Sequence, residues 1–123
     1  MKIKTCLLVA LLLPLASAQV FADEDPNINA TTFHQNLDNF IHMRDSNLDT
    51  IGADKALIAA AYMAGVADAT RPVGVWCPPA PQSRLQTALI VLKYMDENPT
   101  IWDRPSYQLI GTALLKAYPC QSK

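Results

Sequence analysis

Apolar residues recur at helical spacing along most of the chain, and no stretch alternates with a period of two for long enough to make a strand. Phe33, Leu37, Phe40 and Ile41 share one face of a helix expected from about Thr31 to Arg44. Asn29, Thr31 and Thr32 are its candidate caps, since their side-chain oxygens can accept the free N–H groups of a first turn. Asp45-Ser46-Asn47 breaks the pattern, and Leu48 to Gly52 reads as a connector. A second helix is expected from about Ala53 to Ala69, dominated by alanine, with Leu57, Ile58, Ala61, Tyr62 and Gly65 as its inner face. Gly65 weakens a helix interior by about 1 kcal/mol, which a close helix crossing would offset. Ser83 can cap a third helix ending near Glu97, with Leu85, Ala88, Leu89, Leu92 and Met95 as its stripe and Ile90 and Val91 widening it. Asn98-Pro99 stops it. Asp103 can cap a fourth helix with Pro105 in its first turn, lined inside by Tyr107, Ile110, Leu114, Ala117 and Tyr118 and closed by Pro119. The pattern predicts an all-α fold, a small bundle of four to five helices.

Between the second and third helices lies a stretch that cannot be regular helix, Thr70-Arg71-Pro72-Val73-Gly74-Val75-Trp76-Cys77-Pro78-Pro79-Ala80-Pro81-Gln82. Its cysteine needs a partner. Residues 1–22 read as a signal peptide: Lys2 and Lys4 make a basic start, and the apolar run from Cys6 to Ala16 is short for a membrane span. Ala16-Ser17-Ala18 and Val20-Phe21-Ala22 both offer small residues at a cleavage site. Cleavage after Ala22 is favoured, since Asp23-Glu24-Asp25 then opens the mature chain; an uncleaved anchor is the alternative. Removal of Cys6 leaves Cys77 and Cys120, in a chain bound for the oxidising periplasm, so a disulfide is expected between them. It would tie the Pro-rich loop to the end of the last helix.

The mature chain, residues 23–123, is long enough for a single domain with one modest core. Eight Lys/Arg against eleven Asp/Glu give it a formal charge of −3. That sign argues against nucleic acid, and against an anionic membrane surface once the signal is gone.

Reactive constellations are sought and not found. Trp76-Cys77-Pro78-Pro79 is similar to the first half of a thioredoxin active site, but position 80 is Ala and no resolving cysteine is near. His34 and His42 stand eight residues apart, too far to chelate one metal together, and read as solvated surface histidines. Asp96-Glu97 reads as solvated at a helix end, and Asp68 beside Arg71 as a local ion pair or a contact pair. There is no catalytic triad, no Gly-x-Ser-x-Gly turn and no phosphate-binding glycine loop. No catalytic residue, metal or cofactor is therefore expected. What remains is surface: Trp76 and Arg71 in the Pro-rich loop, and Trp102 and Arg104 in the last one, are the candidate partner-binding residues. Trp76 reads equally as an anchor and as a plug of the bundle; Trp102 reads first as a plug.

The run Tyr62-Met63-Ala64-Gly65-Val66-Ala67-Asp68-Ala69, then Trp76-Cys77-Pro78-Pro79, the Asn98-Pro99 stop and the terminal Tyr118-Pro119-Cys120 resemble the Rap/Tai immunity proteins of type VI secretion systems. The resemblance spans about Ala53 to Cys120. It carries the family's helix motif to Tyr62, Gly65 and Asp68, and its cysteines to Cys77 and Cys120. It implies a helical periplasmic protein, often a homodimer, that binds a cognate peptidoglycan amidase toxin and occludes its active-site cleft. A periplasmic stress chaperone that opens on acidification is the competing expectation, and a hydrolase has no residues behind it.

Overall fold

The computed structural model describes residues 29–121, so the expected signal peptide lies outside the described residues. Four helices make up the fold: α1 (Ala30–Ile41), α2 (Thr50–Thr70), α3 (Arg84–Glu97) and α4 (Ser106–Ala117), with a 3₁₀ turn at Pro99–Ile101. No described residue is in a strand. The all-α bundle expected from the periodicity is the one observed.

Local chemistry explains most helix ends. Asn29 Oδ1 accepts from the N–H groups of Thr31 at 2.9 Å and Thr32 at 3.3 Å, which starts α1. Asp49 does the same for Gly52 at 2.7 Å, so α2 begins at Thr50, a turn earlier than its apolar pattern suggests. Ser83 and Gln86 form a reciprocal capping box at the head of α3. The expected cap at Asp103 is not made. Pro105 occupies the cap position of α4 instead, and its carbonyl accepts from the N–H groups of Gln108 and Leu109.

The core is built where α1 packs on α2 and α3 packs on α4, with α2–α4 and α1–α3 contacts closing the bundle. Phe33 and Leu37 of α1, Met63 of α2, Val91 and Met95 of α3, and Leu109, Ile110 and Leu114 of α4 are the largest apolar side chains that these helices bury completely. Phe33 meets the ring of Tyr62 edge-on, with centroids 6.1 Å apart.

Apart from Tyr62, which packs on the core, the inner face of α2 is not the one the sequence suggests. Its buried residues are Ala56, Ala59, Ala60, Met63 and Ala67, whereas Leu57 and Ile58 are each 51% exposed. The cause is packing. Helix α2 touches α1, α3 and α4, and helices that approach closely need small side chains at the crossing. Gly65 points outward, and a Cβ there would meet nothing within 4 Å, so no crossing within the chain explains it. Leu85 and Leu89 of α3 and Tyr107 of α4, expected inside, are likewise about half exposed, and Thr87 and Ser106 are buried in their stead.

Gly111, inside α4, also has open space where a Cβ would stand. Gly111→Ala is expected to raise stability by about 0.5–1 kcal/mol. Thermal unfolding should show that as a midpoint about 2–8 °C higher.

Candidate functional site

Thr70 ends α2, and Arg71 is its C-cap. The chain then turns back on itself. Gly74 N–H donates to the Arg71 carbonyl, Val75 N–H donates to that of Thr70, and Gly74 takes φ of +74°, a conformation that favours glycine. This reversal drives Trp76 inward.

Trp76 is only 3% exposed. Its Nε1 donates to the carbonyl of Ala67 at 3.3 Å and to Thr70 Oγ1 at 3.2 Å. Its ring lies 6.1 Å from that of Tyr118. Of the two readings open to this residue, the plug is the one observed. An indole sealed in the core and hydrogen-bonded there cannot present itself to a partner from this conformation.

Cys77 follows and is bonded to Cys120, with Cα atoms 4.9 Å apart. The Cys77 N–H donates to the Tyr118 carbonyl at 2.9 Å, the Tyr118 hydroxyl donates to Gln82 Oε1 at 3.1 Å, and Gln82 Nε2 donates to the Ala80 carbonyl at 3.0 Å. The loop is thus fixed at its start by α2, in its middle by the disulfide and Trp76, and at its end by Tyr118. Its first turn exposes Arg71, Pro72 and Val73, the last to 75%, and its second half exposes Pro79, Ala80 and Pro81.

Below this rim lies a recess of about 180 Å³ between the end of α2 and the start of α3. Asp68, Arg71, Trp76, Gln82, Arg84 and Thr87 are among the residues lining it. Asp68 and Arg71 therefore share a site, but no ion pair joins them among the described residues. Arg84 was not singled out from the sequence; only the fold of the Pro-rich loop sets it beside Arg71.

Trp102 and Arg104 stand elsewhere, on the turn before α4. Trp102 is half-buried, and its Nε1 donates to the Met95 carbonyl at 3.0 Å. Its ring lies 4.7 Å from that of His34, whose Nε2 is 2.6 Å from Asp96 Oδ1. His34 is thus not the free surface histidine its position suggests, while Asp96 stays largely exposed as expected. They clip α1 to the end of α3 across 62 residues of sequence. His42 is exposed and contacts Asp38 one turn back. Arg104 is exposed and borders a separate depression with Asn29, Thr31 and Asp103. Of the helix-motif residues, Tyr62 is half-buried against Phe33, while Gly65 and Asp68 are exposed. No group of three or more His, Cys, Asp or Glu residues among those described could hold a metal.

The described residues thus form a disulfide-stapled helical bundle with a charged rim at the end of α2. Residues 39–120, including both bonded cysteines, match the model of the Rap1a immunity proteins, and the chain belongs to that family. No curated protein and no solved structure matched it.

Proposed function

We propose that this chain is a periplasmic, non-catalytic inhibitor that binds a cognate peptidoglycan amidase toxin of a type VI secretion system and occludes the toxin's active-site cleft. The family match across residues 39–120 carries the reading. The shape of the loop supports its mechanism. A segment already fixed by a disulfide, a buried tryptophan and main-chain hydrogen bonds loses little conformational entropy on binding, so its contact surface converts efficiently into affinity. Arg71 and Val73, on the outer side of the loop, take over the contact role that the sequence offered to Trp76. Trp102 and Arg104 form a second, separate candidate contact.

The reading includes a homodimer. The outward side of α2, with Ile51, Leu57 and Ile58 about half exposed or more around Ala61 and Gly65, gives a second copy an apolar surface with small residues at its centre.

The test mixes the purified mature chain with a type VI peptidoglycan amidase, sought in the neighbouring reading frames. Mass is read by light scattering during size-exclusion chromatography, and peptidoglycan hydrolysis is followed alongside. A stoichiometric complex with hydrolysis suppressed is expected, and the chain alone should elute at twice its monomer mass. Hydrolysis unchanged at saturating inhibitor would end the immunity reading, and a monomer mass would end the dimer.

A further inference from the structure

Three charged side chains around the recess between α2 and α3 have no ion-pair partner among the described residues. Arg71 and Arg84 are exposed guanidinium groups, Asp68 is an exposed carboxylate, and all three line the same recess. Every ion pair among the described residues lies elsewhere, at His34–Asp96, His42–Asp38 and Lys93–Glu97.

The charges of this recess favour one sign of ligand. Two guanidiniums against one carboxylate leave it with a net positive charge. The end of α2 contributes partial negative charge and the head of α3 partial positive charge, so the helix dipoles oppose each other and the side chains decide. A carboxylate neutralises the recess, whereas an ammonium would add to the excess. Guanidinium is also the side chain best matched to a carboxylate, through paired N–H donors. The indole of Trp76 lines the same recess, and a wall that excludes water on one side lowers the effective dielectric and strengthens attraction at its mouth.

The arginines are also held unlike ordinary surface arginines. Arg71 is the C-cap of α2, and its N–H is committed to the Ala67 carbonyl. Arg84 is the first residue of α3, directly after the Ser83 capping box. Both backbones are therefore fixed, and the disulfide-bonded loop sets the distance between them.

We propose that this recess is a carboxylate-binding site that receives an acidic side chain of the protein partner, with Arg71 and Arg84 as its two cationic walls. The identity of that partner rests on the immunity reading above; the binding chemistry does not. Asp68 narrows the choice, since it repels a carboxylate that is not held between both arginines and can accept an N–H from the ligand's own backbone.

Two measurements test the proposal separately. The first follows the indole N–H signal of Trp76 by nuclear magnetic resonance while acetyl-Gly-Glu-Gly-amide is added at constant ionic strength. A saturable shift is expected with the wild-type chain. It should vanish in Arg71→Gln and in Arg84→Gln, and should not occur with acetyl-Gly-Gln-Gly-amide. No shift, the same shift with the glutamine peptide, or a shift that survives both substitutions would overturn the site. The second measures affinity for the amidase partner proposed above. Arg84→Glu is expected to weaken it by about tenfold or more, the effect of one charge-assisted contact. Its thermal midpoint should stay at the wild-type value. Equal affinity would remove the recess from the interface. A wild-type chain that binds the glutamate peptide but not the amidase would leave the carboxylate site standing and bring down the choice of toxin.

Discussion

Serine in place of Cys77 or Cys120 is expected to lower the thermal unfolding midpoint by about 15–30 °C, from a stability loss of about 4 kcal/mol. The bond joins residues 43 apart and encloses α3 and α4. In the chain-entropy account, opening a loop of that size frees the unfolded state by this amount. An ordinary small domain has a total of about 5–15 kcal/mol, so the bond supplies a large share. Native contacts at the same place soften the local effect. The Cys77 N–H still meets the Tyr118 carbonyl, and the Tyr118 hydroxyl still meets Gln82. Helical circular dichroism at low temperature should therefore persist in the serine variants. Reduction of the wild-type chain should reproduce their midpoint. A shift below about 5 °C would mean that these contacts close the loop nearly as well in the unfolded ensemble as the covalent bond does.

The disulfide was legible because reading residues 1–22 as a signal peptide sets Cys6 aside and leaves a single pairing. Helix number and most helix ends were legible for a similar reason: Asn29, Ser83 and Pro119 act on their immediate neighbours, and local effects are written locally. The inner face of α2 was not. Sequence periodicity ranks positions by apolar size, which places Leu57 and Ile58 inside, while the real constraint is the spacing between α2 and three other helices. Alanine meets that constraint and leucine does not. The candidate site divides along the same line. Asp68 and Arg71 lie close together in sequence and could be paired from it. Arg84 and Gln82 enter the recess only through the path of the Pro-rich loop, and His34 reaches Asp96 only through the packing of α1 on α3. Trp76 shows why an aromatic residue in a loop is ambiguous. Its fate depends on the Thr70 hydroxyl and the Ala67 carbonyl facing it, which requires the turn at Gly74.

Trp76→Ala is accordingly expected to act on stability first, with a loss of about 3–5 kcal/mol. The substitution empties a site sealed to 3% exposure and removes the contact between its ring and Tyr118. Trp76→Phe separates packing from hydrogen bonding. Phenylalanine keeps much of the ring volume and loses Nε1, yet it orphans no buried group. The Ala67 carbonyl still accepts from Arg71 N–H at 3.1 Å, and the Thr70 hydroxyl still donates to the Val66 carbonyl at 2.7 Å. Its cost should be about 1–2 kcal/mol, the net worth of the lost hydrogen bonds and a small void. Urea titration at 25 °C measures both variants. Below its unfolding midpoint, Trp76→Phe should bind the proposed amidase partner as well as the wild type does, whereas a true anchor would lose about tenfold or more. The same ring also abuts the strand of chain that carries Cys77, so combining Trp76→Ala with Cys77→Ser should cost less than the two losses added together. Both changes weaken the same attachment of the loop to the end of α4, so their effects are coupled and not additive.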